Sequence, residues 1–358
     1  MGGVTPFLFP LAWLLRRTFG VDASELGVGF LFFYGAFVVN DPHFSVTYLL
    51  FYRDVRRRVF GDVWGTAQRI RYVVAGFVVP LVLMAWAAAA LAAQSAPALG
   101  WLIQLMFALV GWHYVRQGFG VLAVLSARHG APLSALERRV FSAHAYAAWA
   151  YAWASPADPG TEVEERGVVY RSLAHGPVLE HATFVVFVAS ALAVGVAILI
   201  RRRRTGHLPP AAPLVGYLAA LWSWTVYSRV EPLVVYAIPA LHSMQYLYFV
   251  WLLERHAARA RQDSPFVSRP VGVTLGLLFA SAVALAWVVF HGVPETLDTV
   301  FFPQHGRRIP ISDLGPGPVV AALFVCVNVH HYFMDHVIWR RENPNTRYLR
   351  EPDGQTTQ

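Results

Sequence analysis

The sequence predicts an all-α fold: a polytopic transmembrane helical bundle of about nine spans, with the N-terminus outside and the C-terminus inside. Three observations predict it. The chain of 358 residues is 56% hydrophobic and only 14% charged, with mean hydropathy +0.45, too apolar for a soluble protein of this size. Apolar runs of about 20 residues, the length a helix needs to cross the hydrocarbon core, recur from residue 26 to residue 341. Basic clusters fall at alternate ends of those runs, as expected when Arg and Lys are retained in the cytoplasm.

Residues 1–25 form an N-terminal segment whose apolar run, Phe7 to Leu15, is broken by Pro10 and followed by Arg16 and Arg17. It lacks the basic start and small-residue cleavage site of a signal peptide and reads as an interfacial helix. Residues 26–341 form a single transmembrane domain. Its nine runs are Leu26 to Tyr52, Tyr72 to Ala93, Leu99 to Ser126, Val140 to Ala154, Val178 to Ile200, Ala211 to Tyr227, Leu233 to Leu253, Val271 to Phe290 and Pro318 to Trp339. The fourth is short, but Ser134 with Glu137 makes a capping-box pattern that starts its helix one or two turns earlier. Arg53 to Arg58, Arg138 with Arg139, Arg201 to Arg204, Arg255 to Arg261 and Arg340 with Arg341 all land on one side. The opposite loops are neutral or acidic, with Arg307 and Arg308 as the exception. Residues 342–358 form a polar cytoplasmic tail, expected to be disordered.

The net charge of +8 does not point to nucleic acid, because the arginines sit at the ends of apolar runs and record topology. No inverted internal repeat of the kind found in many secondary transporters is visible. The single cysteine, Cys326, excludes an intramolecular disulfide.

Ionisable groups inside apolar runs are costly and mark function by default. The last run holds His330, His331, Asp335 and His336. On a helix His331 and Asp335 share a face, while His330 is turned about 100° away. Of the 14 histidines, His129, His175, His181, His207, His256, His291 and His305 fall in loops or at outer run ends and read as solvated or interfacial. His43, His113, His144, His242, His330, His331 and His336 lie in runs. Counting back to the flanking cytoplasmic arginines places these seven in one layer, never clearly in the outer half. Their surroundings agree. Asp41 and Pro42 precede His43, Pro239 lies one turn before His242 with Gln245 one turn after it, and His113 shares a face with Arg116 and Gln117. Arg116 either snorkels or pairs with Asp41. Trp251 and Trp339 read as anchors at the inner boundary, and Tyr114, Tyr246 and Tyr332 as packing.

Imidazoles suit zinc, copper, iron and nickel, and histidine-rich sites with a few carboxylates and open positions are typical of non-haem iron. The seven in-run histidines are the candidate metal ligands, for one or two iron ions. Asp41, Asp335, Gln117 and Tyr332 are the candidate catalytic residues. A site within the membrane would accept a lipophilic small molecule.

The histidines on separate spans, with His330-His331 and Asp335 in a late one, resemble the bacterial Brp/Blh-type β-carotene 15,15′-dioxygenases. More loosely they are similar to histidine-rich integral membrane desaturases and hydroxylases. The resemblance implies iron held by His43, His113, His242, His330 and His331, and dioxygen and a lipid, isoprenoid or carotenoid as substrates. It also implies an electron donor where the reaction needs one. The desaturase boxes HxxxH and HxxHH are absent, and His331-x-x-x-Asp335 stands where a second histidine is expected. The expected location is a bacterial inner membrane. Two other functions use the same histidines: b-type haem binding by histidine pairs, and proton-coupled transport through a histidine relay.

Overall fold

A computed structural model describes residues 5–62, 64–227, 229, 233–262, 269–302, 314–315 and 317–349. His305, Arg307, Arg308 and the tail from residue 350 onward lie outside the described residues. In chain order the helices are α1 Thr5–Phe19, α2 Val21–Gly35, α3 Asp41–Tyr52, α4 Val55–Phe60, α5 Thr66–Val73, α6 Val79–Ala92 and α7 Ala96–Arg128. They continue with α8 Ala135–Ala154, α9 Pro177–Thr205, α10 Ala211–Trp222, α11 Leu233–Gln262, α12 Val271–Trp287, α13 Val293–Phe301 and α14 Pro318–Ile338. The chain is therefore helical almost throughout, as its composition requires.

Among the described residues, five stretches are long and apolar enough to cross a membrane: Thr66–Ala92, Ala96–Arg128, Pro177–Thr205, Val271–Phe301 and Pro318–Ile338. They coincide with five of the nine predicted runs, and the other four are helical as well. The helix α8 starts where Ser134 predicts. The Ser134 backbone N–H donates to Glu137 Oε2 (2.7 Å), and the Glu137 N–H donates to Ser134 Oγ (3.3 Å).

Prolines shape three of the long helices. Wide π-helical turns at Ala36–Asn40, Val74–Val78 and Val288–Gly292 immediately precede Asp41-Pro42, Val79-Pro80 and Val293-Pro294. A proline has no N–H and its ring collides with the carbonyl one turn back, so the helix widens there and carbonyls lose their usual partners. Tyr52 takes one of them, donating its hydroxyl to the Gly76 carbonyl four residues before Pro80 (2.5 Å).

One hairpin, not anticipated from the sequence, pairs β1 Glu162–Glu165 with β2 Val168–Arg171. Its two turn residues, Arg166 and Gly167, both have positive φ, 50° and 85°, which matches the twist of a tight hairpin. Tyr170 of the hairpin lies directly on Gly100 of α7, where an added Cβ would meet the Tyr170 Cβ at 2.4 Å.

The hub of the bundle is α14. Of its apolar stretch, 78% is buried inside the protein, against 17% for Pro177–Thr205 and for Val271–Phe301. It packs against α3, α5, α6, α7 and α13, and its buried apolar side chains from Ala321 to Ile338 join the two largest hydrophobic clusters. The pair α8–α9, with α10, covers the far side of α7 around Phe141, Phe187 and Tyr217. A helix surrounded by protein on every side can carry polar residues inward without exposing them to lipid.

Candidate metal centre

Four helices bring imidazoles to one point: His43 from the first turn of α3, His113 from the middle of α7, His242 from α11 and His331 from α14. Asp335, one turn after His331, completes the set. His43, His113, His331 and Asp335 are no more than 5% exposed, and His242 is 9% exposed. The ligand atoms of His43, His242 and His331 lie within 4.8 Å of one another, as do those of His113, His331 and Asp335. His331 belongs to both groups.

Close packing of nitrogen lone pairs is the distinctive feature. His113 Nε2 lies 3.1 Å from His242 Nε2, and 3.8 Å from Asp335 Oδ2. His331 Nε2 lies 3.4 Å from the same Asp335 oxygen, yet neither His331 nitrogen makes a hydrogen bond. His43 Nδ1 donates to the Asn40 carbonyl (2.5 Å), and Ser243 Oγ lies 3.0 Å from the same nitrogen. A carbonyl only accepts, so the proton of His43 is on Nδ1 and the Nε2 lone pair is free. That Nε2 is buried and has no hydrogen-bond partner. Buried polar atoms without partners are costly, and a ring whose other nitrogen is held by a carbonyl is the usual arrangement of a metal-ligating histidine.

The surrounding groups hold this set in place. Asp335 Oδ1 accepts from the Tyr246 hydroxyl (2.8 Å) and from the Trp339 indole N–H (3.3 Å), leaving Oδ2 toward His331 and His113. Tyr246 also meets Thr47 Oγ1 at 2.6 Å. Tyr332 stacks on the His113 ring at 4.7 Å, and its hydroxyl donates to Asn328 Oδ1 (3.1 Å). Gln117 donates to the His242 carbonyl (3.3 Å) and to Gln245 Oε1 (3.1 Å), tying α7 to α11. Phe44 and Tyr114 close the sides, with ring centres 4.7 Å from His331 and 4.1 Å from His242. On its remaining side the cluster meets a cavity of about 420 Å³ lined by His113, Asp335, Tyr246 and Tyr332.

Comparison with known protein families, curated proteins and solved structures finds no match. The donor set therefore stands on its own chemistry. Two atoms bound to one ion at about 2 Å each are separated by roughly 3–4 Å, and the separations of 3.4 Å for His331–Asp335, 3.1 Å for His113–His242 and 3.8 Å for His113–Asp335 are of that size.

Not every residue singled out from the sequence joins the cluster. His330 points to the other side of α14, where its Nδ1 lies 2.9 Å from the Tyr48 hydroxyl and its Nε2 3.5 Å from that of Tyr52. His336 accepts at Nε2 from Arg340 (2.9 Å) and lies under Trp112. His144 is enclosed between α8, α9 and α10, bonded to Ser190 and Trp222. Asp41 is not paired with Arg116. It accepts from His291 Nε2 at 3.0 Å, while Arg116 donates to the Tyr146 hydroxyl (2.9 Å). His291, read from the sequence as solvated or interfacial, is a hydrogen-bond partner of Asp41.

Tyr246, Trp339, Ser243 and Asn40 act on the cluster and were not recognised as doing so. For Tyr246 a signal existed, since it follows His242 by one helical turn and so shares its face. Trp339 had the same relation to Asp335. Both were masked by the usual role of aromatic residues near membrane boundaries.

Proposed function

We propose that the chain is a nine-span membrane metalloenzyme, N-terminus outside, that oxidises a lipophilic substrate with dioxygen at non-haem iron. The substrate class is a lipid or isoprenoid, carotenoids included, and the inner membrane of a bacterium is its location. One observation carries the reading: four imidazoles and a carboxylate converge from four helices, and the buried nitrogens of His43 (Nε2) and His331 (Nδ1 and Nε2) have no hydrogen-bond partner.

His43, His113, His242 and His331, with Asp335, would hold the ion. Bound iron supplies the activation of dioxygen that attack on an unreactive C–H or C=C bond requires. The rest is the work of the side chains. Tyr246 and Trp339 fix Asp335 so that one oxygen faces the histidines, and the Asn40 carbonyl fixes the tautomer of His43. Tyr332 and Gln117 are positioning residues, holding the His113 ring and the His242 backbone. Phe44 and Tyr114 exclude water from the flanks, which strengthens every charge interaction inside. Trp112, Phe119, Val121 and Phe249 give the adjoining cavity the apolar wall a lipophilic substrate needs.

The packing disfavours a haem. Histidine nitrogens on the two faces of a haem stand about 4 Å apart with a flat macrocycle between them. His113 Nε2 and His242 Nε2 are 3.1 Å apart, and His43 and His331 crowd the same space with ring centres 4.8 Å apart. Element-resolved metal analysis of the purified protein, paired with its absorption spectrum, tests the assignment. Iron without a Soret band is the expected result. A Soret band, or protein that purifies active in substrate transport with no metal, overturns it.

A further inference from the structure

We propose that the cavity beside the metal centre binds the anionic headgroup of an amphiphile, a carboxylate or phosphate monoester on an apolar chain, through Arg116, Arg340 and Arg341. The inference rests on the reading of that cavity as the substrate's path to the centre, and it narrows the lipophilic substrate to an acidic one.

The same cavity is lined by His113 and Asp335 of the candidate centre and by Arg116, Arg340 and Arg341. Arg116 is one turn beyond His113 on α7. Arg340 follows directly on α14, two residues past its last residue Ile338. An oxyanion held among the arginines would therefore share the cavity with the ligand side chains.

Arginines at a span end record topology, but all three line the same cavity as His113 and Asp335, and Arg116 and Arg340 are held by hydrogen bonds. Arg340 donates from one NH2 group to His336 Nε2 at 2.9 Å, which keeps that nitrogen an acceptor and the guanidinium in place. Arg116 is held in the same way by the Tyr146 hydroxyl (2.9 Å). Apart from Asp335, whose oxygens are engaged by Tyr246, Trp339 and the histidines, the cavity-lining carboxylate is Glu342. It lies 3.6 Å from Arg340 Nε with its side chain 53% exposed. Besides Asp335, three arginines and one glutamate line this largely apolar space. Arg116 and Arg341 are exposed and so can receive a ligand from solvent or lipid, and guanidinium forks match carboxylate and phosphate oxygens in pairs. A neutral lipid would leave this excess uncompensated, whereas an acidic headgroup neutralises it.

The test compares binding of decanoate, decyl phosphate and decanol to the full-length protein and to a variant carrying Arg340→Gln and Arg341→Gln in the same detergent, so that partitioning cancels. At least one anion is expected to bind the unaltered protein about tenfold or more tightly than the variant, with decanol unchanged. A preference between decanoate and decyl phosphate identifies the headgroup. Restoring charge with Arg340→Lys and Arg341→Lys should recover part of the affinity, which separates loss of charge from misfolding. Equal anion binding by the unaltered protein and the glutamine variant, or decanol binding as tightly as both anions, overturns the proposal. Metal content, measured on the same samples, reports on the centre separately. Anion selectivity in a metal-free protein removes the enzymatic reading and keeps the headgroup site, and the reverse result does the opposite.

Discussion

His331 and His144 are both completely buried on apolar helices, and they are held in opposite ways. Trp222 can only donate, so His144 Nε2 accepts its N–H (3.4 Å) and His144 Nδ1 must donate to Ser190 Oγ (2.8 Å). Ser190 in turn donates to the Phe187 carbonyl (2.7 Å). Every polar atom in that chain is used, and Phe187 stacks on the ring at 5.3 Å. His331 has three other imidazoles and a carboxylate around it and no hydrogen bond on either nitrogen. A buried polar atom left without a partner costs about 1–3 kcal/mol. The first site is complete as protein, whereas the second keeps buried nitrogens without a partner. Burial thus does not distinguish the two histidines, and the state of their lone pairs does.

Four measurements would break or sharpen that contrast. The largest effect is expected from His331→Ala, which removes the residue common to both donor groups. Metal content should fall by on the order of a hundredfold and oxidation should stop, while the helices still insert and the circular dichroism is unchanged. Metal occupancy equal to that of the unaltered protein would erase the distinction between the two histidines. Next, Tyr246→Phe removes the hydroxyl that orients Asp335 while preserving the ring. Its metal affinity should drop by roughly 10–100-fold, read by competition with a coloured chelator. Stripping the metal should also lower thermal stability, by about 3 kcal/mol if the free ion had been near a hundred times its Kd, and restoring the ion should reverse this. The His331→Ala protein should show no such response. The smallest effect on the centre belongs to His144→Ala. It should cost about 1–3 kcal/mol of stability through the orphaned Ser190 and Trp222 groups and leave metal content as it was.

The helical class, the starting point of α8 and five of the apolar stretches follow from patterns within single segments. Apolar length, a capping box and a proline each act within a few residues, so they can be read locally. The same holds for the pairing of His331 with Asp335, because a four-residue spacing fixes a shared helix face whatever surrounds it. The hairpin at Arg166 and Gly167 was also local in principle, but two four-residue strands in a chain this apolar give little signal against the helices.

The choice among the seven in-run histidines is of another kind. His330 and His331 are neighbours in the chain, and the helical period alone turns one about 100° from the other. Which of the two meets His43, His113 and His242 depends on how α3, α7 and α11 are arranged around α14, and no single segment records that. The tautomer of His43 likewise depends on the Asn40 carbonyl and on Ser243 from a helix some 200 residues away. By itself the sequence determined a helical body with apolar stretches long enough to cross a membrane and imidazoles placed within such runs. Only the tertiary structure decided which of them share an ion-sized space and which are already satisfied, because hydrogen-bond satisfaction belongs to the packing of several helices and not to the pattern of one.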